Sequence, residues 1–221
     1  MVTAFNQARV AENELLGTSL MPLTFPTATI WAEMSSGEKT LWLINAERTG
    51  RGLAPLHGLE QNVGQVAQDY ADWLLANNAF GHDADGRSPW ERLAANATIG
   101  ACHDFLGIAE NLSLVATTSS DPLPMVIEQA IYRMIYQDAN SGWGHRHAIL
   151  WTPYTENGGA ADREGFLGVG HARGGFTTES GQFYPNTEIV VMSFFDPCAT
   201  RAQSTATAPS PSPTPSPPSS P

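Results

Sequence analysis

Apolar residues recur at three- and four-residue steps through the middle of the chain, whereas the last third alternates or runs β-branched. This change of period constrains the fold more than any other feature, because period 3.6 and period 2 cannot share one element. Leu41, Leu43, Ile44 and Ala46 predict a helix that starts at Ser36-Gly37-Glu38-Lys39 and stops at Gly50 and Gly52. Val63, Val66, Ala67, Tyr70, Trp73 and Leu74 predict a longer helix between Leu59 and Asn77-Asn78. Ser88-Pro89-Trp90-Glu91 reads as an N-cap, a first-turn proline and a short helix. Pro124 opens another, through Val126, Ile127, Ala130, Ile131, Met134 and Ile135. Strands are predicted over Gly165 to His171 and Thr187 to Phe195, divided by glycine-rich turns. Helices first and strands late give an α+β fold.

The two ends differ from this body. Residues 1–37 show weak periodicity, with Pro22 and Pro26 as breakers, and read as an N-terminal extension that wraps the domain or is partly loose. Residues 38–200 form the folded domain, and residues 201–221 a Pro/Ser/Thr-rich linker or stalk. From Ala202 onward this stalk is AQSTATAPSPSPTPSPPSSP, without charge or aromatics, which favours extended polyproline II and suits attachment to a further domain or a cell wall. The N-terminus lacks the basic start and apolar stretch of a secretory signal, so processing, or a start inside a longer product, is expected.

The formal charge of −11, with no cluster of Lys or Arg, argues against nucleic acid as a partner, since phosphate neutralisation supplies most of such affinity. The two cysteines, Cys102 and Cys198, are too far apart for a compact zinc knuckle. A disulfide between them is the simplest pairing, with two buried thiols as the alternative. Two sequons, at Asn96 and Asn111, fit an exported chain, and a glycan at Asn111 would crowd the neighbouring Glu110, which favours Asn96.

Chemistry is carried by few residues. His82 and His145 lie beside glycines, in Phe80-Gly81-His82 and Trp143-Gly144-His145-Arg146-His147. His145 and His147 form an H-x-H pair whose rings share one face on a strand but splay about 200° apart on a helix start, where only one is expected in a given cleft. Glu110, in Gly107-Ile108-Ala109-Glu110-Asn111-Leu112, precedes an apolar run and needs a partner if buried; a nearby imidazole would supply one. Asp83-Ala84-Asp85-Gly86 fails as a calcium loop, since Arg87 stands at the fifth ligand position, and reads as a turn. H-E-x-x-H, G-x-S-x-G, the P-loop and the dinucleotide motif are all absent.

Taken in order, the segments LINAERTGRGLAPL, ANNAFGHDADGRSPWERL, GIAENLS, GWGHRHAILW and FLGVGHA resemble the CAP superfamily of cysteine-rich secretory, antigen 5 and pathogenesis-related 1 proteins, in its compact microbial form. The resemblance spans roughly Glu38 to Cys198. It implies an α-β-α sandwich, with a central antiparallel sheet between helical layers and a cleft lined by two histidines and one or two acids. His82 matches the first family histidine, Glu110 the acid of the G-E-N segment, and His145 the histidine of the G-H-R segment. The second acid of the family pattern falls at Gln137 or Asp138, with Glu128 further upstream as an outside candidate, so that the fourth cleft position can be without a charge.

On this reading the protein is a secreted or cell-surface binding module. Its cleft would hold a divalent cation such as zinc on His82 and His145, a lipid or sterol, or a cell-wall component. Two imidazoles supply half of a tetrahedral shell, so modest affinity follows. Trp143, Trp151, Phe166 and Phe183 are candidate linings for an apolar ligand. A metal-assisted peptide or ester hydrolase with Glu110 as base is the alternative, and a structural or defence-related surface protein the third.

Overall fold

A computed structural model describes residues 1–100, 107–152 and 165–196. Cys102 and Cys198, and with them the expected disulfide, lie outside the described residues, as does the stalk at 201–221.

Two helices precede the first one expected. Helix α1 (Val2–Leu16) ends on Gly17, whose φ of 66° gives the left-handed C-cap that glycine adopts without strain. Helix α2 (Ala28–Glu33) is capped by Thr27, whose hydroxyl accepts from the Ile30 amide. The hydrophobic pattern conceals α1 because its buried face is Phe5, Arg9 and Glu12, only one of which is apolar. Phe5 is fully buried in the main core. The charged pair is accommodated by an ion network: Arg9 meets Glu47 at 3.2 Å, while Glu12 meets Arg51 and Arg146, each at 2.8 Å. The N-terminal segment therefore wraps the domain as a helix with buried charge partners.

Helices α3 (Ser36–Gly50), α4 (Gln61–Ala76) and α5 (Pro89–Ala95) follow the sequence expectation, and α3 and α5 both open with a capping box, Ser35 with Glu38 and Ser88 with Glu91. A short α6 (Ala97–Gly100), then α7 (Val126–Tyr136), a 3-10 turn at Ala139–Ser141 and α8 (Gly144–Leu150) complete the described helices. Helix α7 begins at Val126, after Met125 rather than at Pro124.

The strands are longer than alternation alone marks. Between β1 (Gly58–Leu59) and the hairpin of β3 (Phe166–Thr177) and β4 (Phe183–Asp196) comes β2 (Gly107–Thr117), which the sequence does not signal as a strand. Strand order is β1-β3-β4-β2, with β1 parallel to β3 and the remaining pairs antiparallel. The sheet is thus antiparallel except for a two-residue parallel edge.

Both sheet faces are covered, giving the α-β-α sandwich. Val190, Met192 and Phe194 of β4 pack with α3 and α7, while Ile189 and Val191 pack with α4 from the opposite face. Such double burial requires near-continuous apolar sequence and accounts for TEIVVMSFF. Helix α4 rides directly on β3 through Gly168 and Gly170. A Cβ at Gly170 would stand 2.1 Å from the Ala67 carbonyl oxygen. Phe166, proposed as a ligand lining, is instead fully buried in the core beneath Val63 and Leu93, because its strand position faces that helical layer.

Candidate functional site

The sheet order makes β2 an edge strand, and alternation along it points successive residues to opposite helical layers. Ala109 and Asn111 face α7 and α8, whereas Leu112 packs with α4. Glu110 turns toward α5 and the loop that carries His82. A cleft of about 510 Å³ straddles this edge, bordered by His82, Glu110, Asn111, His145, His147 and Trp151. Residues from the two faces of the sandwich therefore meet around the rim of one strand.

On one side, the Glu110 carboxylate is 2% exposed and accepts from His82 Nδ1 at 2.9 Å. Both of its oxygens also accept from Arg92 Nη2 at 3.0 Å. Arg92, from α5, further donates to the His82 carbonyl at 2.7 Å and to Asp85 Oδ1 at 2.9 Å, and its guanidinium lies 3.5 Å from the centre of the Tyr70 ring. The Tyr70 hydroxyl donates to the Gly81 carbonyl and accepts from the Ala84 amide, which holds the loop from its other side. Residues 83–86 form the expected turn, closed by the Gly86 amide on the Asp83 carbonyl.

On the other side, His145 Nδ1 is 2.6 Å from Asp138 Oδ1, and the Arg146 amide donates to Asp138 Oδ2 at 3.1 Å. Burial pushes the Asp138 carboxyl up, but the hydrogen bonds from His145 and from the Arg146 amide outweigh it, and the group lies below the ordinary aspartate range. Asp138 does not border the cleft; it stands behind His145. The two other acid-position candidates are placed elsewhere. Glu128 accepts from Trp31 Nε1 at 2.6 Å, and Gln137 borders a neighbouring groove.

The two imidazoles are thus oriented alike. Each uses Nδ1 for a buried carboxylate, and each leaves Nε2 without a hydrogen-bond partner among the described residues. A carboxylate on one ring nitrogen fixes the tautomer and raises the basicity of the other. Nε2 is thus the ring atom that His82 and His145 each have left for a ligand, with Glu110 and Asp138 orienting the rings. Among the described residues no group of three His, Cys, Asp or Glu is placed to hold a metal ion. Both oxygens of Glu110 are already engaged, by Arg92 and, at Oε1, by His82.

His147 is not confined to the other side of α8. It borders the cleft together with His145 and also borders the adjoining groove, with its ring centre 6.4 Å from that of Trp151. The cleft is wide enough to reach both positions at the start of α8. The groove, of about 920 Å³, runs between α1 and α8 and is lined by Leu15, Leu16, Tyr132, Trp143, Leu150 and Trp151. Of the predicted apolar linings, Trp143 and Trp151 are found there, and Phe183 is 55% exposed on the hairpin away from it.

Two residues that build the site, Arg92 behind Glu110 and Asn111 in the cleft wall, were not legible from sequence. Arg92 is a lone arginine in a short helix and reads as a solvated charge; its only signal is that a buried Glu110 needs a cation. Asn111 reads as a sequon, yet it is 1% exposed and donates Nδ2 to the His145 carbonyl at 3.0 Å, which ties β2 to α8.

Comparison with known proteins bears on the family and the fold. The model of the CAP (cysteine-rich secretory protein) family matches residues 41–172. Among solved structures, the CAP domain of enterococcal PrgA superposes with a TM-score of 0.50 at 16% identity, covering 92% of this chain and 84% of that one. An extracellular protein containing a SCP domain from Bacillus anthracis str. Ames gives a TM-score of 0.47 at 19% identity, covering 79% of this chain. This chain spans 45% of the length of that Bacillus protein. Curated proteins return no match.

Proposed function

This chain belongs to the cysteine-rich secretory protein (CAP) family, and from that premise we propose that it is an extracellular binding module whose cleft holds a divalent cation, zinc-like in its preference for imidazole, on His82 and His145. The observation that carries this reading is the shared orientation of the two rings, Nδ1 on Glu110 at 2.9 Å and on Asp138 at 2.6 Å, with both Nε2 atoms left for a ligand. Among the described residues no helix is long and apolar enough to cross a membrane. The stalk would give the module reach from whatever it is attached to.

Calorimetric titration of zinc near pH 7.5, where unperturbed imidazoles are mostly neutral, tests the reading. One-site binding in the wild type, lost in both His82→Ala and His145→Ala, supports it. Absence of binding to the folded wild type overturns it.

A second ligand class is favoured by a separate observation. The groove between α1 and α8 is largely apolar and adjoins the cation cleft through His147 and Trp151. It would take an acyl chain or a sterol-like body with its polar end toward the cleft. A hydrolase with Glu110 as base receives no such support, because Arg92 and His82 already occupy that carboxylate.

A further inference from the structure

A second constellation lies toward the other edge of the sheet. Ser36 Oγ in the first turn of α3 is 2.8 Å from His171 Nδ1 on β3, and His171 Nε2 is 2.6 Å from Glu188 Oε2 on β4. Strand β1 pairs only with Phe166 and Leu167, so beyond Leu167 the edge of β3 is open to side chains. Gln68 of α4 fills the gap: its Oε1 accepts from the His171 amide at 2.8 Å, and its Nε2 donates to the His171 carbonyl at 3.3 Å. One side chain thereby satisfies both the amide and the carbonyl of His171.

Ser36 and His171 border a cavity of about 490 Å³ that also takes in Gly37, Leu59, Leu167 and Val169, and it shares no lining residue with the cation cleft. Glu188 is not part of that lining. Nucleophile and base thus face the cavity while the acid stands behind.

We propose that Ser36, His171 and Glu188 form a hydrolytic centre for small carboxylic esters. Glu188 accepts the Nε2 proton and fixes the tautomer in which Nδ1 offers its lone pair to the Ser36 hydroxyl. The ring is turned relative to the more usual arrangement, but a base requires only a free lone pair on one nitrogen and a held proton on the other. Burial, then the Arg173 guanidinium, holds the His171 imidazole below its ordinary range despite Glu188, so the neutral form prevails at neutral pH.

In the first step Ser36 Oγ attacks the ester carbonyl carbon, its proton passes to His171 Nδ1, and the carbonyl electron pair moves onto oxygen. Collapse of that oxyanion breaks the bond to the alkoxy oxygen, which takes the proton from Nδ1 and leaves as the alcohol. Water then attacks the Ser36 acyl ester, giving its proton to Nδ1; collapse releases the carboxylic acid and returns the proton to Ser36 Oγ. The amides of Ser36 and Gly37, in the first turn of a 15-residue helix, have no acceptor among the described residues and can donate to the oxyanion. Leu59, Leu167 and Val169 offer an apolar wall for a short acyl group.

The test uses the whole chain with a fluorophosphonate probe and with p-nitrophenyl acetate and butyrate, in the presence of EDTA. The expected result is a single adduct mapped to Ser36 by peptide mass spectrometry, with ester turnover that survives EDTA. Ser36→Ala should remove the adduct and reduce turnover to the buffer background. His171→Gln should lower turnover by about 10²–10⁴-fold. Circular dichroism melting reports folding for each variant; if His171→Gln unfolds, Ser36→Ala alone decides, since its change falls in a half-exposed first turn. A folded wild type without an adduct on Ser36, turnover unchanged in Ser36→Ala, or turnover lost to EDTA would each overturn the proposal. These outcomes are independent of whether zinc binds His82 and His145.

Discussion

Glu110 on β2 and Asp138 beyond the end of α7 stand on opposite sides of the cleft's two histidines, yet they hold His82 and His145 by the same ring nitrogen, Nδ1, at 2.9 and 2.6 Å. The edge position of β2 makes this possible, because a cleft wrapped around an edge strand draws on both faces of the sheet. The two halves differ in what stands behind the acid. Glu110 is backed by a buried guanidinium, whereas Asp138 is backed by a backbone amide.

Arg92→Ala should be the most damaging change in this region. It leaves Glu110, 2% exposed, without its guanidinium, while Asp85 keeps Arg87 at 2.8 Å. Breaking such a buried pair costs about 3–5 kcal/mol, read as a lower urea midpoint at unchanged slope. Arg92→Lys should recover part of the loss, since it restores the charge without the planar fork. Stability equal to wild type in Arg92→Ala would mean that Glu110 finds water instead.

Asp138→Asn should separate from wild type in a pH-dependent manner. The folded Asp138 carboxyl lies below its ordinary range, because hydrogen bonds outweigh burial. A depressed acid contributes stability that is fully present above its unfolded value, about pH 3.9, and that is lost as pH falls through the folded value. Urea midpoints of the two proteins should therefore differ at pH 7 and converge below about pH 4. A gap that stays constant down to pH 3 would assign Asp138 no titrating role.

Gly170→Ala tests the close seat of α4 on β3. The added methyl would fall 2.1 Å from a backbone oxygen of Ala67, which no rotamer change can relieve. The expected cost is about 3 kcal/mol, at the upper end of overpacking effects, seen as a drop in melting temperature. An unchanged melt would mean that α4 lifts freely from the sheet.

Much of this was readable in advance, and the failures share a cause. Helices α3 to α5 announce themselves by caps and apolar period, and His82 and His145 by their glycine-flanked motifs. Helix α1 was hidden because Arg9 and Glu12 occupy its buried stripe. Arg92 was hidden because one arginine on a helix carries no pattern, and β2 because its buried polar residues, Glu110 and Asn111, interrupt alternation. Ser36 and His171 are 135 positions apart, a pairing that only the folded chain makes. Periodicity reports the burial of apolar groups; it is silent on charges that are buried in pairs.

Leu16→Glu should weaken binding of an apolar dye or fatty acid several-fold without changing the melt. Leu16 borders the groove at 67% exposure, so the charge meets the ligand rather than the core. Retention of full binding would place apolar ligands elsewhere.

The most direct measurement is a long-range nitrogen–proton NMR spectrum of the imidazole rings, recorded as zinc is added to the wild type. Coordination by paired rings predicts that Nε2 of both His82 and His145 shifts together at one equivalent, while both Nδ1 atoms stay protonated on their carboxylates. Zinc-induced change at Nδ1, or at neither ring, would contradict it.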